Sequence, residues 1–250
     1  MQRDALVTYL DDFLGCRDTP DYSDNGLQVE GSADVSRLAF AVDACQETIA
    51  GAVTAGAQML IVHHGLFWGK VLRVVGPHRR RVQALLEGGC SLYAAHLPLD
   101  RHPEVGNNAQ LARLLGLTVT GGLGEAFGLP VGVIAIAQAP ETRAALVARL
   151  TVSLGVTALV LPGGPEQVQR IGIISGGAAR DVVAAAAAGC DTYITGETSH
   201  SSYHDAAEYG VNVIYAGHYA TETVGLKALA AHLAGQFALP SAFIDRPTGL

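Results

Sequence analysis

The stretch Ala55-Gly56-Ala57-Gln58-Met59-Leu60-Ile61-Val62-His63-His64 decides the fold. A helical pattern over 46–55 precedes it, a glycine turns the chain, and an unbroken apolar run ends on two imidazoles. Such a short run, bounded by a turn signal, is how a strand covered on both faces reads. The pattern returns in the second half. Arg37-Leu38-Ala39-Phe40-Ala41-Val42-Asp43, a helix and 55–64 match Arg170-Ile171-Gly172-Ile173-Ile174-Ser175-Gly176, a helix and 188–197. The spacing from arginine to strand end is equal, so Gly56 meets Gly189 and His64 meets Glu197. The next strand repeats as well. Tyr93-Ala94-Ala95-His96-Leu97-Pro98-Leu99-Asp100 answers Tyr215-Ala216-Gly217-His218-Tyr219-Ala220-Thr221-Glu222. Both read tyrosine, alanine, a small residue, histidine, three residues and a carboxylate. An internally duplicated α/β unit follows.

Working outward, the periodicity predicts helices over 4–14, 46–55, 78–87 and 107–115, a turn leading into a short strand within 24–29, and strands over 38–42, 58–62, 91–95 and 131–137. Strands alternating with helices imply an α/β fold with parallel strands and helices on the sheet faces. Two related α/β/α lobes are expected, 1–125 and 126–250, with the C-terminal helix and strand packing back on the first. Gly121-Gly122-Leu123-Gly124 is the expected hinge between them. Ligands in such folds gather at the carboxyl ends of strands, so the site belongs there, between the lobes.

Composition narrows the function. A 250-residue chain that is 49% hydrophobic has enough apolar surface for one large or two small cores. A net charge of −7 argues against nucleic acid or an anionic membrane as the main partner. No apolar run approaches the roughly 20 residues of a membrane helix, and the N-terminal stretch, acidic at Asp11-Asp12, does not read as a signal peptide. Cys16, Cys45, Cys90 and Cys190 are far apart, and the last three sit in apolar surroundings as buried thiols. A cytoplasmic location is the expectation.

The strand ends carry the chemistry. His63-His64, His96 with Asp100, Glu197, and His218 with Glu222 all fall there. Imidazoles and carboxylates together are the ligand set of divalent transition metals. Adjacent residues of an extended chain point opposite ways, so His63 and His64 are expected to diverge toward two ions. Two-metal sites hold their ions roughly 3.5–4 Å apart, a gap one carboxylate bridges.

With these residues in view, the sequence resembles the Nif-three-like family of dinuclear-metal-centre proteins, labelled GTP cyclohydrolase I type 2 homologues. The resemblance rests on Ser23-Asp24-Asn25-Gly26-Leu27-Gln28-Val29-Glu30-Gly31, Val62-His63-His64-Gly65-Leu66-Phe67-Trp68, 95–100 and 217–222, and covers nearly the whole chain. It implies five metal ligands: His63 and His64, one on each ion, Asp100, His218, and Glu222 as the bridge. It leaves His96 and Glu197 for orienting ligands or moving protons, the catalytic roles expected of them. The family's Thr-Asn pair before the aspartate is replaced here by Leu97-Pro98. A homohexameric ring with sites facing an inner cavity is also implied.

The expected function is hydrolysis of a small anionic or nucleotide substrate with two divalent ions per chain: zinc, iron, manganese or nickel. In the GTP cyclohydrolase version, the purine's imidazole ring opens with loss of formate. The alternative is a metal-binding ring scaffold or regulator without turnover. Weaker signals are the glycine-rich turn Ser175-Gly176-Gly177-Ala178-Ala179-Arg180, the basic run Arg79-Arg80-Arg81, Trp68 as a wall, and His200 with His204 at helical spacing.

Overall fold

A computed structural model describes residues 1–250. In chain order the elements are α1 (Arg3–Leu14), β1 (Gly26–Val29), β2 (Leu38–Asp43), α2 (Gln46–Thr54), β3 (Met59–His64), α3 (Gly76–Glu87), β4 (Ser91–Ala94), α4 (Leu97–Arg101), α5 (Asn107–Leu114), β5 (Thr118–Leu123), β6 (Gly132–Thr142), α6 (Arg143–Leu154), β7 (Leu159–Pro162), β8 (Gln167–Ile173), α7 (Val182–Ala187), β9 (Thr192–Thr195), α8 (Ser202–Tyr209), β10 (Asn212–Tyr215), α9 (His218–Phe237) and β11 (Ser241–Phe243). The chain forms two compact units. The first is Met1–Val105 with Gly225–Arg246; the second is Gly106–Val224 with Pro247–Leu250. The division falls at Val105/Gly106, where the sequence reading placed it at 125, because α5 and β5 pack with β6.

The first unit carries a five-stranded sheet in the order β1-β4-β3-β2-β11. β11, β2, β3 and β4 run parallel, and β1 lies antiparallel on β4. Strand alternation divides the core between the two faces. Leu60, Val62, Ala39, Ala41, Leu92 and Ala94 pack with Ile49 and Ala52 of α2 and Leu85 of α3. On the other face Tyr93 reaches α1, donating its hydroxyl hydrogen to Asp11 at 2.9 Å. The helix ends are chemically marked. Thr48 accepts from the Cys45 N–H before α2, Pro77 opens α3, and Gly15 ends α1 with φ +66°.

The second unit has a six-stranded sheet in the order β5-β6-β8-β9-β10-β7. β8, β9 and β10 are parallel, and the outer pairings are antiparallel. Ile171, Ile173, Ile194 and Ile214 pack with α5 and α6, through residues such as Leu111 and Leu146. Tyr193, Val213 and Tyr215 pack with Val182 and Ala185 of α7 and Ala206 of α8. The parallel trio β2-β3-β4 of the first sheet and β8-β9-β10 of the second fall on the repeat found in the sequence. The expected hinge is instead part of β5: Gly121, Gly122 and Leu123 pair with β6. Gly122 lies against the ring of Pro130, where a side chain would collide, so its glycine serves packing rather than motion.

Candidate metal centre

Parallel strands bring their carboxyl ends to one sheet edge, and in the first unit that edge carries Asp43, His63 and His64, with His96 just past β4. Asp43 and His64 are register partners on β2 and β3, and the ladder runs on through Ala44 N–H to His64 O at 2.8 Å. His63 is fully buried and His64 half-buried. Their rings lie side by side, centroids 4.7 Å apart and tilted by 47°. The strand ends at His64.

Each ring is held at Nδ1. His63 Nδ1 meets Ala95 O at 3.0 Å, His64 Nδ1 meets Asp43 Oδ1 at 2.9 Å, and His96 Nδ1 meets the Asp21 carboxylate at 3.0 and 3.1 Å. Nδ1 donates in all three, since the partner is an acceptor. That leaves Nε2 as the nitrogen each ring presents to a cation. One nitrogen from each of His63, His64 and His96 lies within 4.8 Å of the others. His96 caps α4, so Asp100 stands one turn on, and its Oδ2 is 3.6 Å from His63 Nε2. Trp68 stands edge-on to His96 at 5.1 Å and 5.9 Å from His64, a wall of the site.

The loop before β1 supplies the support. Pairing of Gly26 with Ala94 sets 21–25 beside His96. Asp21 accepts from Ser23 N–H, the Asn25 amide and Leu97 N–H, and Asn25 Oδ1 accepts from His96 N–H at 2.8 Å. Burial pushes the Asp21 carboxyl up, but His96 and these donors outweigh it and hold the pKa at about 2. Gln28 accepts from Leu66 N–H at 2.7 Å and fixes the turn after the histidine pair.

In the second unit the equivalent edge carries Glu197 after β9 and His218 after β10. His218 opens α9 and Glu222 follows one turn later. His218 Nδ1 donates to Glu197 Oε1 at 2.6 Å, and its Nε2 lies 3.0 Å from Glu222 Oε1. Glu222 is buried, whereas the Glu197 side chain is 52% exposed. The bond to Glu222 raises the His218 pKa to about 9 against the opposing effect of burial; the Glu222 charge and Glu197 add to the rise. Gly176, with φ +68°, makes this possible: a Cβ there would run into the Glu222 carboxylate. Its N–H donates to Thr221 at 3.0 Å, tying the turn to α9.

The donor set fits a borderline divalent cation. Ligands on one tetrahedral zinc, each about 2.0–2.2 Å away, sit roughly 3.3 Å from one another. The His63–Asp100 and His218–Glu222 separations, 3.6 and 3.0 Å, bracket that value. An imidazole pinned at Nδ1 by a carboxylate or carbonyl is how metal-binding histidines are oriented.

Asp21 and Asp43 were not singled out from the sequence. Asp43 becomes visible once β2 is known to pair with β3; Asp21 lies in a polar loop with no local signal. His200 and His204 are both exposed, with rings 6.4 Å apart. Arg79 and Arg80 lie exposed on α3. The glycine-rich turn opens no long helix, since α7 spans only Val182–Ala187.

The fold and these clusters define an α/β protein of two sheets with His/Glu groups able to bind a metal. Residues 1–248 match the Duf34/NIF3 (NGG1p interacting factor 3) family, and the chain belongs to it. It is 44% identical over 248 residues to the GTP cyclohydrolase 1 type 2 homolog of Deinococcus radiodurans, covering 99% of this chain and 94% of that one. It is 45% identical over 251 residues to the protein of that name in Pyrococcus abyssi, covering all of both. Among solved structures, protein ybgI, described as of unknown function, superimposes with TM-score 0.94 at 39% identity, covering 100% of both chains. TTHA1606 from Thermus thermophilus gives TM-score 0.92 at 46% identity, again covering 100% of both.

Proposed function

We propose that this chain is a metal-dependent hydrolase of a small anionic substrate, with His63, His64, Asp100, His218 and Glu222 holding two divalent ions. One observation carries the reading. At the strand ends of each unit, imidazoles are anchored through Nδ1 and set Nε2 near a carboxylate oxygen, at His63–Asp100 and His218–Glu222. Bound divalent ions of this ligand class polarise a substrate oxygen and make water acidic enough to act near neutral pH. The chain supplies the rest. Asp43 holds the His64 ring, Glu197 holds His218, and Trp68 shields one side of the first cluster from water. Glu197, half exposed and bonded to an imidazole, is placed to accept and return a proton. The relatives' name points to a nucleotide, and GTP is the first substrate to try. A homohexameric cytoplasmic ring belongs to the same proposal.

The test joins metal content to turnover. Protein purified without chelator should carry about two divalent ions per chain and hydrolyse at least one member of a panel of nucleotides and phosphoesters. Glu222→Ala should abolish that turnover while circular dichroism stays near normal. Metal-replete protein inert across the panel would leave a binding scaffold instead.

A further inference from the structure

We propose that the second unit holds a substrate pocket beside Glu197, built to take a flat, uncharged ring system that presents N–H donors. Its role as a substrate site rests on the hydrolase reading above; its capacity to bind does not. Strand register places it. β7 lies antiparallel on β10 and pairs Leu159 with Tyr215, while β9 lies parallel and pairs Thr195 with the same Tyr215. The turn 155–158 before β7 therefore sits at the strand end where β9 leads to Glu197 and β10 to His218. A cavity of about 400 Å³ opens there, lined by Thr157, Leu159, Gly196, Glu197, Thr198 and Gly217 among others. A second, of about 370 Å³, shares Thr157 and Gly217 and continues along Val156, Tyr219, Ala220 and Pro247. Both volumes fall in the range of small-molecule sites.

The floor of the cleft is bare backbone. A Cβ on Gly196 would collide with the His218 backbone, and Gly217 has φ +87°, so neither position readily takes a side chain that would fill the space. Leu159 and Leu250 line the first cavity and are 53% and 77% exposed, which leaves apolar surface for a ligand to cover. Charge sorts what can enter. Glu197 is the only charged side chain lining either cavity. It repels a phosphate or carboxylate, so the anionic group of a substrate belongs with the metal ligands and its uncharged body in the cleft. Glu197 Oε1 accepts from His218 at 2.6 Å, and its Oε2 accepts no hydrogen bond within the chain. A ligand N–H supplies the missing donor. The Thr157 and Thr198 hydroxyls are also unbonded within the chain, and they add two groups that fix orientation. The second cavity adds only apolar side chains and Tyr219. A mostly apolar cleft with a few polar groups at one part is how a small-molecule site sets the pose of its ligand.

Calorimetric titration of the full chain with guanosine and adenosine tests this. Both probes carry a flat base with N–H donors and no phosphate, so neither needs a bound metal to be held. At least one should bind with a dissociation constant below about 1 mM. Leu159→Arg and Thr157→Trp replace exposed side chains and obstruct the cleft, so each should weaken that binding about tenfold or more while zinc binding and the melting temperature stay near the parent's. No binding of either nucleoside by a chain that takes up zinc would overturn the pocket and leave the metal reading standing. Equal affinity in parent and both variants would also overturn it. Nucleoside binding lost in the variants, in a chain that takes up no zinc, would keep the pocket and overturn the hydrolase reading alone.

Discussion

Asp21 shows how much of the site depends on residues that hold its imidazoles in place. It is buried, accepts four hydrogen bonds, and has its pKa held at about 2 rather than the usual 3.8. A carboxylate lowered in the folded state stabilises the fold above its unfolded pKa, and that contribution fades as pH falls from about 4 through 2. The shift of nearly two units corresponds to about 2 kcal/mol at neutral pH. Asp21→Asn also turns an amide NH2 toward N–H donors. Urea unfolding at pH 6 should therefore find the variant at least about 2 kcal/mol less stable than the parent. Repeated near pH 2, the gap should shrink by about that amount; a gap independent of pH would mean the charge on Asp21 does not matter.

The elements matter through where they stop. β8 ends in a turn at Gly176, whose φ of +68° and lack of a side chain admit the Glu222 carboxylate, and β9 runs out into Gly196, where a Cβ would collide with the His218 backbone. In each unit a helix begins at the strand ends, α4 after His96 in the first and α9 at His218 in the second, so Asp100 and Glu222 each return one turn later beside an imidazole. Gly176→Ala carries two penalties: a left-handed backbone that alanine resists and a collision with Glu222. Together they should destabilise the chain by roughly 1–3 kcal/mol. Calorimetric titration should also show weaker divalent binding, because His218–Glu222 is displaced. Unchanged affinity would detach Gly176 from the site.

At the scale of the whole molecule, the donor set predicts a stability that depends on metal concentration. An ion that binds only the folded chain stabilises it by about 2.7 kcal/mol at one hundred times its dissociation constant. For a chain of this size each kcal/mol moves the melting temperature by roughly 2–4 °C. Excess zinc or nickel should therefore raise Tm by roughly 5–10 °C over chelator-treated protein, and magnesium should raise it far less. Equal melting curves with zinc and with chelator would count against every ligand named here. None of the helices is long and apolar enough to cross a membrane.

Local chemistry was enough for much of this. Short apolar runs mark β2, β3, β4 and β8, because a strand covered on both faces has nowhere to put polar residues. The repeated Tyr-Ala-small-His phrase fixed the correspondence between the two sheets, and the histidines and carboxylates announced a metal-binding chemistry. Other features depended on pairing across long sequence separations. Gly121-Gly122-Leu123 reads as a hinge until β6 pairs with it. Asp43 and Asp21 gain their meaning only from the register of β2 on β3 and of β1 on β4. Sequence patterns report which face of an element is buried, which is a local property. Which strand lies beside which is settled by packing the whole chain, and the groups that aim the site's imidazoles are set there.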